Sequence, residues 1–494
     1  MKALGVLGTA SNVGKTWTTT ALCAWLRREG VRVAPFKAQN MSNNAFVTRT
    51  GGEMARAQAV QAEACGLEPC VEMNPILLKP CSDTGSQLIL LGEAQPHFSA
   101  REYYANFDRH RKIVADVLDG WRSRCDVLVM EGAGSPVELN LLDRDLVNLF
   151  PIRHLDGKFV LVGDIDRGGI YAQLAGTWAL LDPADRTRSL GAIVNRFRGD
   201  LSLFPDPQSW LAPHAPGLDV LGTVPFRHDL QPEEEDGLSA VDEDRGAGDL
   251  IVWIRYPHAA CLTDCQPWWD DAGVRTLWTA EPAELARAKI IVLPGTKNTI
   301  ADLRWMRARG LDRAIHAAAQ RGALIVGICG GYQMLGESLS DPNGVAGDAG
   351  EERGLGLLPV ATTFYPQKVV CQTTAECDGE RWSAYEVHMG RTVAVAPIQT
   401  NFTAAVAQSL HTVWTADGET RPEGHVAGNV MATYLHGWFE SPRLRARIAR
   451  LGGLTEHRVA ATPWRERRQA VYTAMADHVA ATLDLEKIRR GLGL

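Results

Sequence analysis

Short apolar runs alternate with helical patterns along most of this chain. Residues 2–7, 31–35, 126–130, 159–163 and 191–194 read as buried strands in the first half, and 250–255, 290–293 and 323–328 in the second. Near-continuous apolar strands separated by helices are the pattern of parallel sheets covered on both faces. Helical patterns at 17–29 and 332–339 follow strands closely, and those at 443–451 and 464–483 come last. From 227 to 249 acids outnumber bases and apolar periodicity stops, around Pro232-Glu233-Glu234-Glu235-Asp236-Gly237, which marks a linker. The expected organisation is α/β, with a doubly wound domain over 1–226, an acidic linker over 227–249, a second doubly wound domain over 250–440 and a helical segment over 441–494. Within the second domain the Gly- and acid-rich stretch 341–356 reads as a loop.

Reactive chemistry is concentrated where these strands end. The strand 323–328 runs into Gly327-Ile328-Cys329-Gly330-Gly331 and then a helical pattern. Small residues at a sharp strand-to-helix turn push one side chain out of the backbone, and the helix N-terminus favours an anionic sulfur there. Cys329 is therefore the candidate nucleophile. His436 ends another β-prone stretch, Ala432-Thr433-Tyr434-Leu435-His436, before Gly437, and is the candidate general base. The strand 290–293 ends in Pro294-Gly295, and the backbone N–H groups of Gly295 and Gly330 are candidate oxyanion donors. Together these pieces resemble class I glutamine amidotransferase domains, which release ammonia from glutamine through a cysteine thioester. That family usually orients its histidine with an acid two residues on. Position 438 is Trp and the nearest acid is Glu440, which leaves a third member of the Cys–His pair open.

The first strand leads into Gly8-Thr9-Ala10-Ser11-Asn12-Val13-Gly14-Lys15-Thr16 and a long helical pattern. Such a loop aims backbone N–H groups and a helix dipole at phosphate, with Lys15 reaching the β/γ-phosphates and the Thr16 hydroxyl placed for Mg²⁺. Five residues, not four, separate Gly8 from Gly14, and this longer form resembles dethiobiotin synthetase and its relatives. Gly8, Thr9, Gly14, Lys15 and Thr16 are thus candidate ATP-binding residues. Glu131 ends the strand 126–130, where ligands bind in open α/β sheets, and is the second candidate for Mg²⁺. The same resemblance implies that Asn195 reads the adenine.

The segment Phe36-Lys37-Ala38-Gln39-Asn40-Met41-Ser42-Asn43-Asn44-Ala45 sets four amides and a lysine on one loop. It resembles the corresponding stretch of the cobyric acid synthase family. Asp164-Ile165-Asp166-Arg167-Gly168-Gly169, Asn195-Arg196-Phe197-Arg198-Gly199-Asp200, Pro294-Gly295-Thr296-Lys297-Asn298 and Tyr385-Glu386-Val387-His388-Met389-Gly390 extend the resemblance over nearly the whole chain. It implies a P-loop ATPase-type domain joined to a glutamine amidotransferase domain. It also implies ATP- and glutamine-dependent amidation of the b, d, e and g carboxylates of adenosylcobyrinic acid a,c-diamide, giving adenosylcobyric acid. Lys37, Gln39, Asn40, Asn43 and Asp166 are the residues it assigns to the corrinoid substrate. Two other readings are a cobyrinic acid a,c-diamide synthase, against which the 36–45 loop argues, and a partitioning-type regulatory ATPase, which leaves Cys329 and His436 without a task.

Composition narrows the setting. The 494 residues are 45% hydrophobic, enough for two or three cores, and the formal net charge of −7 gives no basic face for nucleic acid. Ten cysteines with no C-x-x-C pair suggest neither a zinc site nor a disulfide framework, and a reactive thiol suits a reducing cytoplasm. No signal segment or membrane-length apolar run is expected.

Overall fold

The computed structural model describes all residues except 81–84, 96–97, 205, 233–243, 346–348, 396–407 and 416–417. It forms two compact units, each assembled from separate segments of chain. One comprises Met1–Ser42, Met54–Glu235 and Arg467–Leu494, the other Asn43–Glu53 and Asp236–Glu466.

In the first unit six parallel strands lie in the order Val220–Pro225, Ser189–Phe197, Lys158–Asp164, Lys2–Gly8, Val127–Glu131, Val33–Phe36. The strand order reverses beside Lys2–Gly8, so the crevice at its carboxyl end is where a doubly wound sheet binds ligand. The following helix runs Lys15–Arg28, starting two residues earlier than the apolar period suggests, because Gly14 caps it at φ 96° and sets the turn. The tail helices Trp464–Thr482 and Leu485–Leu492 bury Tyr472, Met475, Val479 and Ile488 in the same core as Leu22, Trp25 and Val33. The amide-rich segment is not wholly a loop. Gln39–Met41 is a strand, paired parallel with Ile76–Pro80 in a small second sheet that periodicity did not suggest.

The second unit has the expected parallel α/β sheet and adds a wing to it. Parallel strands Val274–Thr279, Asp249–Ile254, Ile290–Leu293, Leu324–Ile328 and Val430–Thr433 give way to an antiparallel wing of Thr420–Ala427, Gln408–Thr415 and Val360–Cys377. Glu380–Ala394 pairs with Val360–Cys377 along a long hairpin. The stretch 341–356 is no simple loop: Gly350–Arg353 pairs antiparallel with Ser338–Asp341, around residues 346–348, which lie outside the described ones. The helix after Cys329 is correspondingly short, Gly330–Leu335, since the chain is needed for that ladder. Much of the acidic stretch, 233–243, falls outside the described residues. Its last part is not linker but an edge strand, Asp244–Gly246, antiparallel to Val274–Thr279.

One buried carboxyl braces the wing against the parallel strands. Glu423, on Thr420–Ala427, accepts from the Thr433 hydroxyl at 2.6 Å and the Tyr434 N–H at 2.6 Å. Burial, with neighbouring Glu386, pushes it up to about 7. A carboxyl raised in the fold stabilises it fully below the unfolded value near 4.5, and that contribution is lost as pH rises toward 7. Glu423→Gln imitates the neutral form. Relative to the parent, its unfolding free energy should gain on the order of a few kcal/mol between pH 5 and 8. Denaturant titrations of both proteins across that range check this. Parallel pH profiles would place the proton elsewhere.

Candidate active sites

In the second unit, three adjacent parallel strands deliver three predicted residues to one edge. Ile290–Leu293 pairs with Leu324–Ile328, and that strand with Val430–Thr433 in the register Ile328↔Thr433. The Cys329 N–H continues this ladder by donating to the Thr433 carbonyl at 2.8 Å. Gly295, Cys329 and His436 therefore emerge side by side. A Cβ built on Gly295 would stand 3.1 Å from His436 Cε1 and 3.7 Å from Cys329 Cβ. Cys329 has φ 52° and ψ −108°, an uncommon conformation for a residue with a Cβ, as expected at a nucleophile turn. The turn closes only because Gly331 is glycine, since a Cβ there would overlap the Leu293 carbonyl. Gly330 lies against Thr296, and Gly295 pairs with Ala260 in a two-stranded ladder.

The acid that Trp438 could not supply comes from elsewhere. Asp264 Oδ2 lies 2.8 Å from His436 Nδ1, and its Oδ1 accepts from the Gly437 N–H at 2.9 Å. A carboxyl oxygen accepts, so the imidazole carries a proton on Nδ1 and keeps Nε2 for a thiol. Asp264 sits in the 3-10 helix Leu262–Asp270, 172 positions upstream of the histidine. Burial alone would lower the imidazole, but Cys261 and Asp264 outweigh it and hold His436 well above its usual range. Glu440, the acid nearest in sequence, is instead near Arg465, 3.8 Å away.

The strand Glu380–Ala394 covers both groups. Tyr385 and His436 exchange backbone hydrogen bonds at 3.1 and 2.8 Å, and their rings stack at 5.3 Å. The Cys329 thiol donates to the Val387 carbonyl at 3.6 Å. The segment 385–390, noticed only as a family resemblance, thus belongs to this site.

In the first unit, Lys15 Nζ donates to the Ala10 and Gly134 carbonyls at 2.8 and 3.1 Å, which holds it across the loop mouth. A Cβ on Gly8 would stand 2.7 Å from Val13 Cγ2, so glycine lets the loop fold over its own entry. Thr9 Oγ1 donates to Gln173 Oε1 at 3.0 Å. Thr16 Oγ1 meets Glu131 Oε1 at 2.8 Å, Lys37 Nζ meets the same oxygen at 2.9 Å, and Gln61 Nε2 donates to Oε2 at 2.5 Å. Lys37 thus reaches the carboxylate expected to hold Mg²⁺. Asn195 Nδ2 donates to the Val13 carbonyl at 2.9 Å, so its amide props the loop. Gln39 accepts from Tyr103, and Asn40 Nδ2 donates to Gln58 Oε1 at 2.8 Å. Asp166 pairs with Arg198 at 3.0 Å. Asn43 belongs to the second unit, where its buried Oδ1 has no hydrogen-bond partner among the described residues.

Thr16 and Glu131 fit a hard cation. Both offer oxygen, they already touch, and Mg²⁺ ordinarily takes one or two protein oxygens and completes its shell with water and phosphate. No cluster of three or more His, Cys, Asp or Glu able to hold a metal occurs among the described residues.

Fold and sites together define a nucleotide-binding P-loop unit joined to a class I glutamine amidotransferase unit. Residues 4–240 match the CobQ/CobB/MinD/ParA nucleotide binding domain and residues 250–444 the CobB/CobQ-like glutamine amidotransferase domain. Over 98% of its length the chain is 43% identical to a cobyric acid synthase of Roseiflexus castenholzii, covering 97% of that protein. It is 45% identical to one of Variovorax paradoxus over 88% of the chain and 90% of the relative, and 41% identical to one of Sorangium cellulosum over 100% and 99%. The chain belongs to the cobyric acid synthase family, the glutamine-hydrolysing amide ligases of cobalamin biosynthesis. Among the described residues no helix is long and apolar enough to cross a membrane.

Asp264→Asn keeps the size of the side chain but turns an NH₂ toward Nδ1, which favours the opposite tautomer. Glutaminase kcat should fall about 10²- to 10⁴-fold with KM little changed. Steady-state ammonia release measures it; a kcat within threefold of the parent removes Asp264 from the reaction.

Proposed function

We propose that this chain makes adenosylcobyric acid by amidating the b, d, e and g carboxylates of adenosylcobyrinic acid a,c-diamide, with glutamine as nitrogen source and ATP as activator. The observation that carries the glutaminase half is the convergence of Gly295, Cys329 and His436 at the ends of three adjacent strands, with Asp264 on Nδ1.

As Cys329 Sγ attacks the glutamine side-chain carbonyl, its thiol proton passes to His436 Nε2, and the backbone N–H groups of Gly295 and Gly330 receive the oxyanion. The tetrahedral adduct breaks its C–N bond as His436 gives a proton to the departing ammonia. Water, deprotonated by His436, then hydrolyses the thioester to glutamate. An imidazole held above its usual range by Cys261 and Asp264 suits the proton-donating step near neutral pH.

In the nucleotide-binding unit, loop 8–16 cradles the ATP phosphates, and Lys15 follows the transferring phosphoryl group. A substrate carboxylate attacks the γ-phosphorus and ADP leaves, giving an acyl phosphate whose phosphate is expelled when ammonia attacks the carbonyl carbon to form the amide. Mg²⁺, held by Thr16 and Glu131, would neutralise phosphate charge. Lys37, Gln39, Asn40, Asn43 and Asp166 are proposed for the corrinoid, and Asn195, by resemblance, for the adenine. The Lys37 ammonium also stands beside Glu131 in the nucleotide site.

Two variants separate the half-reactions. Cys329→Ala should abolish glutamine-driven synthesis, leave synthesis from ammonium salts within about threefold, and lose glutamine hydrolysis. Lys15→Ala should lose synthesis from both nitrogen sources, by about 10²-fold or more, and keep part of the glutamine hydrolysis. Product analysis with each corrinoid diamide and monoamide acceptor reads the acceptor directly. Glutaminase activity surviving in Cys329→Ala, or ammonia-driven synthesis in Lys15→Ala, would overturn the respective assignment.

Glu131→Gln keeps the size but removes the charge. Half-maximal Mg²⁺ for synthesis should rise several-fold, with glutamine hydrolysis unchanged. An unaltered Mg²⁺ titration moves the ligand to Asp164 or Asp166.

A further inference from the structure

The histidine of the glutaminase site faces two thiols. Cys329 lies on one neighbouring strand end. The other is Cys261, buried, whose carbonyl accepts from the Asp264 N–H at 3.1 Å and which, with Asp264, raises the imidazole. Cys261 caps the 3-10 helix that carries Asp264, so one turn of chain presents both groups to the same ring. Its backbone is left-handed, φ 55° and ψ 45°, a conformation that residues with a Cβ adopt seldom and that needs holding.

Neighbouring residues of the same unit hold it. The Cys261 N–H donates to Asn44 Oδ1 at 3.0 Å. The Tyr385 hydroxyl lies against two acceptors, its single proton shared between the Ala45 carbonyl at 3.3 Å and Cys261 Sγ at 3.9 Å, while the Tyr385 ring stacks on His436. Asn44 and Ala45 belong to Asn43–Glu53, the N-terminal segment that joins the second unit. Two further contacts fasten that segment there: Gln372 Nε2 donates to the Val47 carbonyl at 2.8 Å, and Lys368 pairs with Glu53 at 2.5 Å with both side chains buried.

We infer that Cys261 is a positioning residue for glutamine hydrolysis, its thiol fixing the His436 ring against Asp264, and that Asn44 acts through Cys261 by setting its left-handed backbone. The arrangement confines the imidazole on each side: Asp264 at Nδ1, Tyr385 on the ring face, Gly295 at Cε1 and Cys261 beside it. This inference rests on the proposed Cys329–His436 chemistry and adds to it a residue that sequence spacing placed nowhere near the site.

The test measures glutamine hydrolysis by the full-length protein from pH 6 to 9, with ammonia-driven synthesis as the control for folding. Cys261→Ala should lower glutaminase kcat about tenfold with KM within twofold, and ammonia-driven synthesis should hold. The imidazole limb of the kcat/KM profile should move to lower pH, since a group that raises His436 is gone. The other titratable groups facing the ring, Asp264, Tyr385 and Cys329, are unaltered in this variant. Cys261→Ser, which keeps a small hydroxyl donor and acceptor, should recover most of the rate. Asn44→Ala should reproduce the loss and Asn44→Asp, which retains the acceptor oxygen, should not. A parental kcat and pH profile in both Cys261→Ala and Asn44→Ala overturns the inference, as does an equal loss of glutamine- and ammonia-driven synthesis, which marks a purely structural role. Cys329→Ala measured alongside separates the two claims: if it still hydrolyses glutamine, the underlying chemistry fails, whatever Cys261 does.

Discussion

A single backbone hydrogen bond, from the Cys329 N–H to the Thr433 carbonyl at 2.8 Å, sets the geometry on which the proposed glutaminase site depends. It extends a parallel ladder by one residue beyond the last pair, so the chain turns at Cys329 while its neighbour runs on to His436. A slip of one residue would turn every side chain of the strand to the opposite face and separate the two groups. The register is protected by burial. Ile325, Val326 and Ile328 are fully covered, as are Ala432 and Thr433 opposite them, so no slipped pairing keeps the core filled. The strain at Cys329 is sustained by the same core, because the strand has nowhere else to go.

The nucleotide unit is organised around a charge. Glu131 is fully buried at a strand end and receives Thr16, Lys37 and Gln61. A buried carboxylate is tolerated only when its oxygens are satisfied, and removing one partner is costlier than making the pair was worth. The three donors come from the phosphate loop, the segment after the second strand of the sheet, and the helix Arg56–Cys65. One carboxylate thus ties together three parts of the chain that are proposed to converge on a polyphosphate. The same tie explains why Lys37, on a stretch that looked like an amide-rich loop, is rigidly placed.

Legibility in the sequence followed the strands. Gly8, Glu131, Gly295, Cys329 and His436 could be picked out because each ends an apolar run, and a parallel sheet delivers such ends to one side. Asp264 could not. It lies on a 3-10 helix with Pro267 inside it, where no apolar period exists, and its partner is 172 residues away. The long hairpin of Val360–Cys377 and Glu380–Ala394 was hidden for another reason. Its strands are rich in Thr, Gln and charged residues and are only partly buried, so they lack the continuous apolar signature of the parallel strands. Asn195 shows the limit of motif reading: its place at a strand end was visible, but not that its amide would be engaged by the Val13 carbonyl.

Because each unit draws on chain from both sides of the acidic stretch, the two chemistries are not beads on a string. A cut in the acidic stretch near 236, the place a composition profile recommends, would take Asn43–Glu53 away from the glutaminase unit and Arg467–Leu494 away from the other. Lys368 would lose a buried carboxylate partner, and the core around Leu22 and Trp25 would lose Tyr472, Met475 and Ile488. Gene fission between these activities therefore requires new packing on both sides of the break, so the interleaved chain path is itself an evolutionary lock that keeps ammonia production and ammonia consumption on one polypeptide, in fixed one-to-one ratio.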